Sequence, residues 1–342
     1  MVKVFTSLVF VFAVISAGFL FVQNEKDTHK NNLRIYAYSS FAKSWSAGPE
    51  IAKTFEEAFA SKVEIVDAGD SAIMLQKLKI DPLPIDLVIG LDQDSFSDEN
   101  LNIGWKKIEA SDLQNNKIKF SPGFSKNWWR SDFLVFDWAP LTFILRKNKI
   151  NSPRSWDELL GEQYKKSITL PDPRTSNLGW QFIKWIVADK GEGGAISYLR
   201  AFKSQIFSAP PSWSSAYGLF QSGQSQLSFS YLTSLLYHRW EEKKENEFEA
   251  AIFSSGHPVQ VEYLGIPNKC SNCELAQKFA YFVLQDQIQK IFLHKNYMFP
   301  VVEVSDKTDL EILPKVKIRE NLTEVSLATK QKMLANWIDL WK

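Results

Sequence analysis

The sequence predicts an α/β protein of two lobes, joined by crossover strands, with a ligand cleft between the lobes. Short strand-like apolar runs alternate with amphipathic helical segments along the chain. The apolar run 133–145 is longer than an ordinary strand and can cross from one lobe to the other. The chain is also large enough for two cores, because 45% of its 342 residues are hydrophobic.

Strands and helices alternate in the first part of the chain. Strands are predicted at residues 33–37, 63–66 and 87–91. A helix is predicted at 49–61, where apolar residues recur at helical spacing. Asp70 is predicted to cap the next helix, whose Ile73, Met74 and Leu78 share one face. This order favours a largely parallel sheet with helices on both sides.

The crossing run leads into further alternating segments. Asp137 and Pro140 interrupt this run, and 155–158 matches a capping box that predicts the start of a helix. Strands are predicted at 168–170, 206–208 and 227–231, and helices at 178–190, 194–203, 214–221, 274–284 and 326–341. The runs 250–253 and 259–264 predict the return crossing, so that at least two connections join the lobes.

These elements divide the chain into segments. The predicted division is a signal peptide at 1–23, a polar linker at 24–32, lobe 1 at 33–137 and 257–305, lobe 2 at 138–256, and a C-terminal helical segment at 306–342 assigned to lobe 2. Ligands in open α/β sheets bind beyond the carboxyl ends of the strands. Two such lobes that face each other would form a cleft that closes by hinge motion.

The N-terminal segment predicts export from the cytoplasm. Lys3 supplies a positive charge, and no charged residue interrupts the apolar stretch from Val4 to Val22. This stretch is also long enough for an uncleaved membrane anchor, which is the alternative. Both interpretations place the folded part of the protein outside the inner membrane.

Composition restricts the partners and the covalent chemistry. The 40 basic and 39 acidic residues give a net charge of +1, which does not indicate a nucleic-acid partner. Cys270 and Cys273 are the two cysteines of the chain, too few for a four-sulfur zinc site. In an oxidising compartment, their CxxC spacing favours a local disulfide over a redox-active pair.

Catalytic signatures are absent from the sequence. The segment 223–227 lacks the final glycine of a nucleophile elbow, and 191–194 matches neither a Walker loop nor a dinucleotide fingerprint. No metal-ligand spacing links the four histidines, which are His29, His238, His257 and His294. We therefore expect a binding protein without catalytic residues, metal or cofactor.

Four places near strand and helix ends carry side chains suited to a ligand. They are 36–41, Asp70 with Ser71, 171–177, and 211–214 together with 230–237. Aromatic faces attract a delocalised cation, and free N–H groups at a helix start suit a phosphate. Together these segments predict an aromatic-lined cleft with hydroxyl donors and a carboxylate. Such a cleft suits a flat cation, with or without a phosphate.

Several of these runs resemble the periplasmic thiamine-binding proteins of Gram-negative bacteria. The matching segments are 36–41, 171–176, 213–220, 230–234, 237–238 and 241–244, and the likeness extends in order from residue 33 to residue 342. It implies a type II periplasmic binding protein fold and a periplasmic location. It also implies that thiamine or its mono- or diphosphate is the ligand, and that a monomer delivers it to an inner-membrane ABC permease with a cytoplasmic ATPase.

The resemblance also implies the ligand-binding residues, which are Tyr38, Asp70, Ser71, Ser176, Trp213, Tyr231, Thr233, Ser234, Tyr237 and Tyr297. Tyr38, Tyr237 and Tyr297 would form aromatic walls around the pyrimidine and thiazolium rings. The hydrogen-bond donors, several of them for the phosphate, would be Ser176, Trp213, Tyr231 and Ser234. The sequence departs from the family at two positions, where Ser71 replaces a glycine and Tyr297 replaces a tryptophan.

Two classes of alternative stay open. Binding proteins of the same fold could take a polyamine, ferric iron or an organophosphate. Iron binders of this fold typically use adjacent tyrosines, whereas Leu232 follows Tyr231 in this chain. The other class is an exported enzyme, such as a phosphatase or a thiamine-degrading hydrolase, and the latter would need a nucleophilic Cys in the cleft.

Overall fold

The computed structural model describes residues 31–96, 98–108, 119–305, 310–320, 322 and 325–342. The predicted signal peptide and most of the predicted linker lie outside these ranges. The described strands are β1 (Asn32–Ala37), β2 (Lys62–Asp67), β3 (Leu87–Leu91), β4 (Phe133–Arg146), β5 (Ile168–Thr169), β6 (Ile206–Ser208), β7 (Leu227–Tyr231), β8 (Phe248–Ala250), β9 (His257–Gly265), β10 (Phe299–Pro300) and β11 (Ile318–Arg319).

The helices pack around these strands. The described α-helices are α1 (Ala47–Phe59), α2 (Ser71–Ile80), α3 (Asp98–Leu101), α4 (Asn177–Phe202), α5 (Trp213–Gln221), α6 (Ser234–Trp240), α7 (Cys273–Phe282), α8 (Asp286–Ile291) and α9 (Leu327–Asp339). A π-helical turn, Phe292–Asn296, follows α8 directly. Across the described ranges, no helix combines the length and the apolar character that a membrane span requires.

The strands form one ladder in the order β2-β1-β3-β9-β4-β7-β5-β6. The outer pairs are parallel: β1 pairs with β2 and β3, and β5 pairs with β6 and β7. The central pairs β3–β9, β9–β4 and β4–β7 are antiparallel. The prediction of a largely parallel sheet is therefore wrong at the centre, because the two crossing strands run in opposite directions.

Strand β4 carries the chain from one half of the ladder to the other. Its first half, from Phe133 to Pro140, pairs with β9, and its second half, from Leu141 to Leu145, pairs with β7. All its side chains except that of Arg146 are buried, which explains an apolar run on both faces. The predicted crossing is thus observed, and Asp137 follows a shift in register rather than a break in the strand.

Two apolar cores lie on either side of this crossing, and we call the two halves lobe 1 and lobe 2. The core of lobe 1 draws its buried side chains from 33–138 and 259–302. The core of lobe 2 draws them from 141–253 and from Met333, Trp337 and Leu340 at the C-terminus. Helix α9 therefore packs on lobe 2. The residue-level boundaries between the segments remain a prediction.

The burial of α2 differs from the prediction. Its buried side chains are Ser71, Met74 and Leu75, whereas Ile73 is 41% exposed. The prediction placed Ile73 on the buried face because it took apolar character as the only guide. The structure instead turns Ser71 inward, and this residue lines the cavity between the lobes.

Two further helix predictions have different outcomes. The break between the predicted helices 178–190 and 194–203 is confirmed, because Gly191 has a left-handed φ of 67° within α4. The prediction that a helix starts at residues 155–158 is wrong. The Glu158 N–H donates to Ser155 Oγ at 3.2 Å, but the Glu158 carboxylate accepts from Arg154 N, so the capping box is incomplete. Only two 3-10 turns form there.

Candidate functional site

A cavity of about 600 Å³ lies between the two lobes. Lobe 1 contributes the segment after β1, the start of α2, the middle of β9 and the turn before β10. Lobe 2 contributes the start of α4, helices α5 and α6, and the end of β7. The cavity thus lies where strands end and helices begin, as expected for a ligand site in an α/β protein.

Nine of the ten predicted ligand-binding residues line this cavity. They are Tyr38, Asp70, Ser71, Ser176, Trp213, Tyr231, Ser234, Tyr237 and Tyr297. The prediction needs correction at Thr233, which is absent from the cavity lining. Thr233 is fully buried immediately before α6, where its carbonyl accepts from the Leu236 N–H. For the other nine residues, the contact with a ligand remains a prediction.

Tyrosine rings from both lobes form the aromatic walls. The rings of Tyr237 in α6 and Tyr297 in lobe 1 meet edge to face, with centroids 5.4 Å apart and an interplanar angle of 87°. Tyr297 has a left-handed φ of 53° and ends the π-helical turn. Tyr38 lies against Gly90, where an added Cβ would be 2.1 Å from Tyr38 Cδ1. Glycine at this position therefore makes room for the ring.

Trp213 lines the cavity and uses its N–H group for a hydrogen bond within lobe 2. Its indole Nε1 donates to Ser230 Oγ at 2.8 Å, and the Ser230 and Ser234 hydroxyls are 2.9 Å apart. The ring of Trp213 stacks on Tyr217 with centroids 5.4 Å apart. This N–H group is thus bonded within lobe 2 in the structure, and its role as a donor to the ligand stays a prediction.

Two carboxyl groups lie opposite each other on the crossing strands, and one of them, that of Glu262, lines the cavity. Glu262 of β9 and Asp137 of β4 are both buried. Burial raises the pKa of Glu262 to about 8, the Asp92 charge adds to the rise, and the hydrogen bond with Asp137 opposes it. Burial and the Glu262 charge hold the pKa of Asp137 well above its ordinary value. The pair therefore holds at least one proton at neutral pH.

Two phenols adjoin these carboxyl groups. The Tyr231 O–H donates to Glu262 Oε1 at 3.5 Å. Burial, reinforced by the charges of Glu262 and Asp137, holds the pKa values of Tyr38 and Tyr231 well above the ordinary value for tyrosine. Both side chains therefore remain neutral phenols, which offer an aromatic face and an O–H group rather than a phenolate.

Asp70 occupies the N-cap position of α2 but does not cap it. Its side chain makes no capping hydrogen bond, contrary to the prediction. Burial raises the pKa of Asp70 to about 6, and the nearby Ser176 hydroxyl group partly offsets this rise. The carboxyl group thus turns towards the cavity and lobe 2, where a cationic ligand would favour its ionised form.

One face of α4 bonds to lobe 1 beside the cavity. Asn177 Nδ2 donates to Ser71 Oγ. One turn further along, Gln181 Nε2 donates to Asp94 Oδ2 at 2.7 Å, and Lys184 Nζ lies 2.9 Å from Asp94 Oδ1. Positions 177, 181 and 184 share a helix face. These contacts hold the two lobes together on this side of the cleft.

Several lining residues were missed by the sequence reasoning. Trp45, which is 62% exposed, lies at the rim, and Gln260 and Glu262 lie side by side on the inner face of β9. Asn296 Nδ2 donates to Asp137 Oδ2 at 2.6 Å and so fixes the turn that carries Tyr297. A usable signal was the presence of two polar residues, two positions apart, within the predicted apolar strand 259–264.

The remaining candidate groups lie away from the cavity lining. Cys270 and Cys273 form a disulfide, with their Cα atoms 5.2 Å apart, as the sequence favoured. His238 is fully buried between Tyr217 and Glu242, and burial lowers its pKa. The part of the chain that the structure describes brings together no group of three or more His, Cys, Asp or Glu residues able to hold a metal ion.

Comparison with known proteins gives matches over most of the chain. A family model described as bacterial extracellular solute-binding protein matches residues 83–320. The chain is 32% identical over 314 residues to the thiamine-binding periplasmic protein of Escherichia coli (strain K12), covering 91% of this chain and 92% of that protein. A solved structure of a periplasmic thiamin binding protein superposes with a TM-score of 0.81 and 31% identity, covering 91% and 96% of the two chains.

A more distant structure shares the fold. The ferric binding protein from Campylobacter jejuni superposes with a TM-score of 0.67 at 19% identity, covering 90% of this chain and 98% of that one. At this identity the likeness concerns architecture alone. The predicted fold class, with two α/β lobes and a cleft between them, is confirmed by these superpositions.

Proposed function

Because this chain belongs to the bacterial extracellular solute-binding proteins, we propose that it captures thiamine, thiamine monophosphate or thiamine diphosphate in the periplasm. The captured ligand passes to an inner-membrane ABC permease driven by a cytoplasmic ATPase, and the protein acts as a monomer. The resemblance to the periplasmic thiamine-binding proteins that the sequence indicates is confirmed, since two similarities each cover 91% of the chain.

The observation that carries this proposal is the match between the cavity and a flat heterocyclic cation. Tyr38, Tyr237 and Tyr297 supply aromatic faces, and the half-buried Asp70 and the buried Glu262 supply carboxyl groups. Aromatic faces attract a delocalised cation by roughly 0.5–2 kcal/mol per contact. A thiazolium ring between these groups would also favour the ionised carboxylates, whose burial otherwise disfavours their charge.

The protein performs no chemistry on the ligand in this proposal. The cavity side chains hold the ligand, and the two crossing strands β4 and β9 let the lobes close around it. A nucleophilic Cys would be required for cleavage of thiamine, but Cys270 and Cys273 are joined in a disulfide away from the cavity. Capture and release of a ligand therefore account for the cavity and the two crossing strands.

Calorimetric titration of the purified protein tests the proposal. Thiamine, spermidine, ferric citrate and a sugar phosphate would each be titrated into the same preparation. We expect thiamine alone to bind with a Kd below about 10 μM and to quench tryptophan emission, since Trp213 and Trp45 line the cavity. The absence of heat and of quenching with thiamine would refute the proposal, and saturable binding of one of the other compounds would identify the ligand class.

A further inference from the structure

The start of α4 points into the cavity from lobe 2. The helix runs from Asn177 to the break at Gly191, so the partial positive charge of its N-terminus lies next to Ser176. Ser176 and Asn177 both line the cavity. An anionic group of a ligand would ordinarily bind at such a helix start, where backbone N–H groups are free.

Side chains of lobe 1 already occupy this position. Asn177 Nδ2 donates to Ser71 Oγ, and Ser71 is only 3% exposed. The Asp70 carboxyl group lies beside Ser176, whose buried Oγ has no hydrogen-bond partner among the described residues, and burial raises the Asp70 pKa to about 6. At pH 7.5 the Asp70 carboxylate is therefore ionised and lies beside the start of α4. A phosphate that approached this helix would meet a negative charge.

The cationic side chains near this helix are engaged by carboxylates. Arg174 Nε lies 3.0 Å from both oxygens of Asp172. Lys184 Nζ lies 2.9 Å from Asp94 Oδ1. Among the described residues that line the cavity, Lys295 is the one with a cationic side chain, and it belongs to the exposed turn of lobe 1 before Tyr297. A phosphate at the start of α4 would thus lack a cationic partner there.

We infer that Asp70 and Ser71 close the start of α4 to anions, so that the protein prefers unphosphorylated thiamine to thiamine monophosphate and, still more, to thiamine diphosphate. This inference rests on the proposed function and narrows its ligand. When thiamine binds, the Asp70 carboxylate acts as the counter-charge of its thiazolium ring. A phosphate ester brings like charges together where little water screens them, and it also displaces the contact between Ser71 and Asn177.

Titration of the full chain with the three ligands at pH 7.5 tests the inference. We expect thiamine to bind at least about tenfold more tightly than the diphosphate, with the monophosphate between them. Asp70→Asn keeps the shape of the side chain and removes its charge, and it should reduce this ratio to about threefold or less. Ser71→Gly opens space at the helix start and should strengthen diphosphate binding, so that the ratio of thiamine affinity to diphosphate affinity falls. Ser71→Thr keeps a hydroxyl side chain there and should leave this ratio unchanged.

Asp157→Asn is the matched control, because it removes the charge of a carboxylate that is 86% exposed and does not line the cavity, and it should leave the ratio within twofold of the original. Equal affinities for thiamine and the diphosphate in the unmodified protein would overturn the inference while leaving thiamine binding intact. An unchanged affinity ratio in both Ser71→Gly and Asp70→Asn would also overturn the inference. If Asp70→Asn does not fold, the result for Ser71→Gly alone decides. Failure of all three ligands to bind would overturn the proposed function itself.

Discussion

Asp137 and Glu262 stand directly opposite each other on β4 and β9, the two antiparallel strands that cross between the lobes. Each has a buried carboxyl oxygen, Asp137 Oδ1 and Glu262 Oε2, without a hydrogen-bond donor from another residue. Because the two side chains lie close enough to interact, a proton on one carboxyl group can be shared with the other. The crossing strands therefore carry a carboxyl pair of which Glu262 lines the cavity, so a cationic ligand there would favour the ionised form of the pair.

This pair predicts that thiamine binds more tightly as the pH rises. The thiazolium charge favours ionised carboxylates, so binding lowers the pKa of Glu262 from about 8 and that of Asp70 from about 6, and protons are released. Affinity should therefore rise between pH 6 and pH 8, by up to about tenfold per pH unit for each proton released. Calorimetry in buffers of different ionisation enthalpy measures both the affinity and the proton count.

Glu262→Gln should flatten the upper part of this pH dependence, because it removes the group that titrates near pH 8. Glu241→Gln is the control and should keep the slope, since the Glu241 side chain is exposed at the cavity edge. A dissociation constant that stays constant from pH 6 to pH 9 would show that the carboxyl pair does not sense the ligand charge.

The same pair predicts how the unliganded protein depends on pH. Because burial raises the pKa of Glu262 above the value of 4.5 expected for an exposed side chain, the folded state holds a proton that the unfolded state releases. Its contribution to stability is complete below about pH 4.5 and is lost as the pH rises towards about 8. Thermal unfolding of the apo protein should show this decline, and Glu262→Gln should reduce it. A melting temperature that rises over this interval in both proteins would contradict the assignment.

Because Lys184 and Asp94 join the two lobes, we predict that a substitution at Lys184 weakens thiamine binding without removing a contact to the ligand. Lys184 lies on α4 in lobe 2, Asp94 lies in lobe 1, and the Lys184 side chain is 9% exposed in this arrangement. Removal of the ammonium group disfavours the closed form alone, so the apparent affinity falls with the closed population. Lys184→Met should weaken thiamine binding by about 1–2 kcal/mol, or roughly 5–30-fold.

Lys190→Met is the matched control on the same helix. Lys190 pairs at 3.2 Å with Asp157, whose side chain is 86% exposed, and neither residue lines the cavity. Such surface pairs contribute little. The control should therefore bind thiamine within twofold of the unmodified protein. Equal losses in Lys184→Met and Lys190→Met would mean that the loss does not arise from the contact between the lobes.

Variants of Tyr237 measure how much the aromatic wall contributes to the free energy of thiamine binding. Tyr237→Ala removes a ring face and apolar area from the cavity, so thiamine affinity should fall by about 1–3 kcal/mol. Tyr237→Phe keeps the ring and should lose less than about 1 kcal/mol, chiefly through the contact of its hydroxyl with Gln221. Fluorescence titration of both variants measures the difference. Equal losses would assign the effect to the hydroxyl group rather than to the ring.

Much of the fold follows from local patterns. The long apolar run that became β4 predicted the crossing, because a strand buried on both faces is apolar throughout. The break at Gly191 was visible as a cluster of glycines. The antiparallel centre of the sheet was not predictable in this way, since strand direction depends on which distant strands become neighbours, such as β9 between β3 and β4.

The site also contains residues that local sequence runs predict and contacts that they do not. Nine of its residues followed from short runs that resemble a family, and Thr233 failed because one position along the chain separates the cavity wall from the interior. The pairing of Lys184 with Asp94 spans 90 residues of sequence and joins two lobes. No local pattern encodes such a contact, because it depends on how one lobe is placed against the other.

The disulfide between Cys270 and Cys273 predicts a loss of stability without a loss of binding. It closes a four-residue loop at the start of α7, and the Asn272 N–H inside this loop donates to Asp86 Oδ1 at 2.7 Å. The loop thereby ties the end of the β9 crossing to the edge of β3 in lobe 1. Chain entropy assigns about 2 kcal/mol to so short a loop.

The double variant Cys270→Ser with Cys273→Ser should therefore unfold at a lower urea concentration, by an amount equivalent to about 2 kcal/mol. Its thiamine affinity should match that of the unmodified protein, since neither cysteine lines the cavity. Reduction of the unmodified protein should reproduce the shift in the urea midpoint, whereas reduction of the double variant should have no effect. An unchanged midpoint in the variant would show that the contacts of Asn272, rather than the disulfide, hold this loop.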